Sequence, residues 1–214
     1  MRPHPFTRSR VALAGGAVAL TLGLSACSSG LVVASRADRF YLRLPSGWKT
    51  YYKSQLLSNP KWSMFALNPP RVFLAATGGP HPNISQPLSS SNYPWAIFVV
   101  EDLAGTAQQS LTLSSLSDVV LPVDQLSQQG TPVQQLQQGQ LLVRGALRGT
   151  KMAYEIGSGT GGGAIDYQQE TWVNSATDRV WALMVGCSPN CYKTNGSLIG
   201  SIVQSFYVSN IRIG

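Results

Sequence analysis

Residues 164–187, "AIDYQQETWVNSATDRVWALMVGC", decide the fold. Apolar and aromatic side chains run to Val173, give way to the polar stretch Asn174 to Asp178, and resume after Arg179. Two such runs around a short cluster of turn-forming residues predict a β-hairpin. Immediately upstream, "QLLVRGALRGTKMAYEIG" (140–157) alternates Leu141, Val143 and Leu147 against Arg144 and Arg148. It then alternates Met152, Tyr154 and Ile156 against Ala153 and Glu155. That period of two is the mark of half-buried strands. The glycine-rich "SGTGGG" (158–163) between them reads as a flexible connection.

Further towards the N-terminus, "RFYLRLP" (39–45) sets Phe40, Leu42 and Leu44 against Tyr41 and Arg43, and "SGWKTYY" (46–52) continues after a Ser-Gly turn. "RVFLAAT" (71–77) and "WAIFVVED" (95–102) are continuous apolar runs bounded by Pro and Gly, which predicts inner strands. The Pro/Ser/Asn stretch 78–94 between them is a long loop, functional or mobile. In "TLSSLSDVVLPVDQLSQQG" (112–130), Leu116, Val119, Val120 and Val123 keep helical spacing, with Ser114 or Ser115 as cap and Pro122 as the break. The glutamines of 125–140 are punctuated by Leu126, Val133, Leu136 and Leu141, giving a helix end, a turn at Gly130 and a strand entry. In "NGSLIGSIVQSF" (195–206), Leu198, Ile199, Ile202, Val203 and Phe206 share one helical face. Strands, a helix, more strands and a closing helix predict an α+β class: a mostly antiparallel sheet with helices packed on it.

The chain opens differently. "MRPHPFTRSR" carries Arg2, Arg8 and Arg10 and no acid, and Val11 to Leu24 is apolar apart from Thr21. A charged segment feeding an apolar one is the pattern of an export signal. As a helix, that apolar stretch would rise about 21 Å, short of a hydrocarbon core of about 30 Å, so export fits better than a membrane span. Leu24-Ser25-Ala26-Cys27 resembles the lipobox of bacterial lipoproteins. The resemblance implies cleavage after residue 26, with Cys27 as a lipid-bearing N-terminus carrying palmitate-type acyl chains. Two or more chains anchor stably, since each buried methylene contributes about 0.8 kcal/mol. The expected organisation is a signal peptide over 1–26, a lipidated tether over 27–37 and a single domain over 38–213. The expected place is the extracytoplasmic face of the cell membrane.

Composition agrees with one exported domain. Residues 28–214 number 187, enough for one core and too few for two comfortable ones. The formal charge of +7 falls to +4 once the three leader arginines are removed. The remaining basic residues are scattered, so no nucleic-acid partner is expected. With Cys27 lipidated, Cys187 and Cys191 remain as a pair in "CSPNC". In an exported chain they predict a disulfide. Their Cα atoms would lie about 13 Å apart if extended, so Ser188-Pro189-Asn190 must turn. Such a short loop contributes about 2 kcal/mol in the chain-entropy account, a local clasp. A zinc site would need more ligands than His81 provides.

"FYLRLPSGWK" near the start, a meander ending in "TWVNSATDRVWALMVGCSP" and a closing "SIVQSFYV" together resemble the PsbP-like fold. This group includes extrinsic photosystem proteins and LpqN-like envelope lipoproteins of actinobacteria. The resemblance spans nearly the whole of the mature chain and implies a PsbP-like sandwich, acting as an accessory or binding protein without chemistry of its own. No cofactor is expected, and the protein is expected to be monomeric.

Trp48, Trp172 and Trp181 read as packing residues. Tyr51, Tyr52 and Trp62 sit in a less apolar setting and are the candidates for stacking on an envelope glycan, a glycolipid or a protein partner. A cell-surface hydrolase is the other alternative, but it needs a nucleophile oriented by a base. Only His81 is available as an imidazole base beyond the leader, and no G-x-S-x-G elbow occurs. The paired acids are Glu101 with Asp102, which alternation sends to opposite faces, and Asp166 with Glu170, which can share a face or lie on a solvated surface. "GTGGGAID" (159–166) lacks the Lys-Ser/Thr end of a phosphate loop.

Overall fold

The hairpin expected at 164–187 forms the middle of the molecule. In the computed structural model, which describes residues 30–66, 68–157 and 163–209, Ile165–Val173 (β8) pairs antiparallel with Arg179–Cys187 (β9). Cys27, the leader and the glycines of 158–162 lie outside the described residues.

The other strands are β1 (Leu31–Ser35), β2 (Phe40–Leu44), β3 (Lys49–Tyr52), β4 (Val72–Thr77), β5 (Trp95–Asp102), β6 (Val133–Arg144), β7 (Leu147–Ile156) and β10 (Tyr207–Val208). Seven form one antiparallel sheet in the order β3-β4-β5-β9-β8-β7-β6. The remaining three form a small sheet, β1-β2-β10. Helices α1 (Lys53–Leu57), α2 (Thr106–Ser110), α3 (Val123–Gln128) and α4 (Pro189–Ser205) complete the fold, with 3-10 turns at Pro60–Phe65 and Ser114–Asp118.

The inner strands are apolar throughout because both faces of the large sheet are covered. On one face, Leu74, Phe98, Leu183 and Val185 meet Leu42 and Leu44 of β2 and Ile199, Ile202 and Val203 of α4. On the other, Phe73, Ile97, Val99 and Met184 meet Leu56, Trp62, Phe65, Leu121 and Val123. Full burial of each large side chain contributes about 1.5–3 kcal/mol, so the two cores are the main source of stability. Alternation along β2 is as expected, with Phe40, Leu42 and Leu44 buried.

The closing helix has the expected apolar face but starts earlier, at Pro189. Cys187 ends β9 and Cys191 lies in the first turn of α4, with Cα atoms 5.8 Å apart and sulfurs at bonding distance. The turn demanded by "CSPNC" is a helix start. Ser188 is its N-cap, accepting a hydrogen bond from the Cys191 amide, and Pro189 opens the helix. The clasp therefore pins α4 to the central strand.

Three expectations need correction. Leu31–Ser35 is no tether: it pairs in register with Phe40–Leu44, so the fold reaches back to at least Leu31 and the boundary at 38 is too late. The region 112–130 divides at Pro122 as expected, but its first half is the 3-10 turn Ser114–Asp118 in place of an α-helix, and only α3, after Pro122, is α-helical. Leu141 and Val143 do not face a core: they are 72% and 71% exposed. Outermost β6 turns Leu142 onto the α4-side core instead, and among the described residues Leu141 and Val143 stay on its exposed face.

The loop 78–94 is anchored rather than loose. The Trp62 indole donates to the Ile84 carbonyl at 3.3 Å and the Trp95 indole to that of Ser89 at 3.1 Å. The Lys61 ammonium bonds the Ser85 carbonyl, and the Gln86 amide donates to the carbonyls of Gly78 and Tyr93.

Candidate functional site

Where β5 ends, the chain turns away from the sheet and leaves an open cleft of about 690 Å³, bordered by Lys53, Pro70, Arg71, Glu101, Asp102 and Ala107 among others. Arginine and carboxylate alternate along a chain of ion pairs that runs from Arg71 and Asp102 in its lining to Asp38 and Arg179 beyond it. Arg71 Nε lies 2.6 Å from Asp38 Oδ1 and its Nη1 3.3 Å from Asp102 Oδ2, while Arg179 Nε reaches Asp102 Oδ1 at 2.7 Å. This chain of charges ties the turn before β2, the entry to β4, the end of β5 and the start of β9. Burial alone would raise the Asp38 carboxyl. Hydrogen bonds from Arg71 and Ser35 and the charges of Arg71 and Arg179 outweigh it and hold Asp38 below its ordinary value.

Both Glu101 and Asp102 border the cleft, although alternation sends them to opposite faces along the strand. Their surroundings differ. Two arginines engage Asp102, whereas burial pushes the Glu101 carboxyl upward. With Glu101 and Asp102 beside the Arg71 guanidinium and the Lys53 ammonium, the cleft can receive a polar segment of a partner. Among the described residues that line it there is neither a histidine nor a hydroxyl side chain.

A second polar cluster lies on the α4 side of β7 and β8. Asp166, Gln168 and Glu170 share that face, as alternation predicts, but all three are buried rather than solvated. Glu170 accepts a 2.7 Å hydrogen bond from the Trp172 indole. Burial raises its carboxyl, a shift partly opposed by that bond and by Lys151 and Arg144. Asp166 is 7% exposed and stands opposite Glu155 in register. Burial first, and the neighbouring Glu155 second, push its carboxyl up to about 6.

A folded-state value above the ordinary 3.8 makes the folded protein bind the proton more tightly than the unfolded chain. The Asp166 contribution to stability therefore falls as pH rises from about 4 through about 6, and its penalty is complete above that. Asp166→Asn is expected to leave stability at pH 4 unchanged and to raise it by roughly 1 kcal/mol at pH 7, after allowance for solvent screening. Urea denaturation at the two pH values reads the difference.

The residues expected to stack on a ligand are not brought together at a surface. Trp62 is fully buried and Tyr51 nearly so, both in the core on the far side of the large sheet from α4. This corrects the expectation for both, since neither can offer an exposed ring. Tyr52, 54% exposed, is the only one of the three that remains at the surface. Trp172 and Trp181 are buried, and the Trp181 indole donates to the Asp38 carbonyl at 2.7 Å. His81 is exposed on the 78–94 loop, and among the described residues no serine hydroxyl is hydrogen-bonded to it. Among the described residues no three His, Cys, Asp or Glu side chains gather as metal ligands, and no helix is long and apolar enough to cross a membrane.

The ion-pair chain beside the cleft was missed from sequence because Asp38, Arg71, Asp102 and Arg179 come from four separate segments. The one local signal was the pairing of Glu101 with Asp102 at a strand end.

No protein-family model matches the sequence, and no curated protein sequence does. Solved structures do match. The solution structure of cyanobacterial PsbP (CyanoP) from Synechocystis sp. PCC 6803 aligns with a TM-score of 0.52 at 11% identity, covering 87% of this chain and 96% of that one. LpqN, described as involved in cell envelope biogenesis of Mycobacterium tuberculosis, aligns at TM-score 0.48 and 13% identity over 84% of this chain and 85% of that one. The Ran-binding protein Mog1p of Saccharomyces cerevisiae gives TM-score 0.48 and 11% identity over 84% and 95%. The likeness to CyanoP shows the fold: an α+β, PsbP-like arrangement of antiparallel sheets with helices packed on them.

Proposed function

We propose that the protein is a lipid-anchored accessory protein of the cell envelope. It is held on the extracytoplasmic face of the membrane through acylated Cys27 and acts as a monomer by binding an envelope partner rather than by catalysis. The observation that carries this reading is Leu24-Ser25-Ala26-Cys27 at the end of a leader too short to span a bilayer. The Cys187 and Cys191 pair, placed at bonding distance, supports an oxidising compartment. The cleft at the end of β5 supports a binding role, because its charges are arranged to pair and not to react. Its mixed lining of Lys53, Arg71, Glu101 and Asp102 favours a polar partner segment that carries both donors and acceptors.

Membrane fractionation tests the reading directly. In the producing cell, the parent protein is expected in the membrane fraction and Cys27→Ser almost wholly outside it. Intact mass should show loss of residues 1–26 and addition of acyl chains to Cys27. A Cys27→Ser protein that stays as firmly attached would sink the proposal.

A further inference from the structure

The pairing of β1 with β2 leaves only a short link between the fold and Cys27. The described chain begins at Gly30, one residue before β1, so three peptide units separate it from Cys27. Three units span at most about 11 Å. An eleven-residue tether would have let the domain swing freely; this one holds the small sheet β1-β2-β10 against whatever carries Cys27.

The outward face of that sheet has the chemistry of a membrane interface. Register places Val32 beside Arg43, Ala34 beside Tyr41, and Tyr41 beside Tyr207, all on the side away from the core that takes Leu42, Leu44 and Val208. Val32 is 50% and Tyr207 46% exposed. Arg36 and Arg39 occupy the β1–β2 turn, and Arg43 lies near the tether end, so positive charge brackets the apolar strip. The only carboxylate between residues 30 and 44, Asp38, is paired with Arg71. No acid pairs with Arg36, Arg39 or Arg43 among the described residues.

We propose that this face, Val32, Ala34, Tyr41 and Tyr207 framed by Arg36, Arg39 and Arg43, lies flat on an anionic lipid surface and fixes the orientation of the anchored domain. Aromatic rings settle at the headgroup level and arginines pair with anionic headgroups. The anchor raises the local concentration of the lipid surface, so weak contacts suffice to hold one orientation. The inference rests on acylation of Cys27.

The test uses the full-length lipoprotein as matured in the cell, reconstituted in phosphatidylethanolamine/phosphatidylglycerol vesicles containing a headgroup-level nitroxide lipid. One thiol is introduced at Ala34→Cys, on the outer face and at the far end of β1 from the tether, and labelled with a fluorophore. His81→Cys is the reference, on a loop across the large sheet. The native pair Cys187 and Cys191 is buried, and acylated Cys27 is blocked. Quenching is expected to be several-fold stronger at 34 than at 81. The triple change R36E/R39E/R43E is expected to lower the ratio of face-down to free orientations roughly a hundredfold and bring quenching at 34 to the level at 81. Equal quenching at the two sites in protein whose mass shows the lipid overturns the orientation alone. Protein without lipid on Cys27 overturns the orientation together with the reading beneath it.

Discussion

Trp62→Ala is expected to lower the free energy of unfolding by about 3–5 kcal/mol, the range for deleting a large aromatic from a core. The indole is fully enclosed, edge-on to Phe73 with ring centroids 5.4 Å apart and within 6.2 Å of Phe65. Its N–H also holds the Ile84 carbonyl, so truncation leaves a cavity and an orphaned acceptor together. The damage should spread to the 78–94 loop, which is expected to become sensitive to protease while the α4 side keeps its native near-ultraviolet signal. Tyr52→Ala, at the surface, is expected to cost less than about 1 kcal/mol. Denaturant titration of both variants checks the contrast. A Trp62→Ala protein as stable as its parent would put the indole back at the surface and revive the stacking role.

Trp62 shows where sequence reading stops. Its neighbours in "NPKWSMF" are mixed, so no periodicity marks a buried face. Burial is conferred by Phe73 and Ile84, eleven and twenty-two positions away and on different segments. Elements that announce themselves are those whose pattern is internal. The β8–β9 hairpin carries its own turn, β2 alternates, and α4 shows a full apolar stripe. Elements that do not are set by their partners. "LVVAS" looks like a linker until β2 is placed beside it, and Leu141 and Val143 look like core until β6 proves to be the last strand of its sheet. Irregular pairing around Gln135, Gln137 and Gln140 adds to this, since each shift in register can change which side chains face the core. The clasp was legible because its spacing is local. The ion-pair chain beside the cleft was not, because Asp38, Arg71, Asp102 and Arg179 meet only after three strands have been put in order.

Gly186→Ala is the second change expected to be severe, though it adds only one carbon. Gly186 lies in β9 between Trp95 of β5 and Tyr167 of β8, both fully buried. A Cβ here would stand 2.5 Å from the Asp166 carbonyl oxygen and 2.7 Å from the Tyr167 Cβ. Neither obstacle is the movable end of a long side chain, so relief requires β8 to shift relative to β9. These two strands carry the clasp, the helix α4 and both cores. A loss of about 3 kcal/mol is expected, at the upper end for overpacking. Gly200→Ala is the control of opposite sign. It lies in α4 with nothing within 4 Å of a new Cβ, so alanine is expected to stabilise by about 0.5–1 kcal/mol through helix propensity. Thermal and denaturant unfolding of the pair separate a steric effect in the sheet from the general cost of replacing glycine. If Gly186→Ala were as benign as Gly200→Ala, β8 and β9 could not be packed as tightly around the two aromatic rings as the register requires.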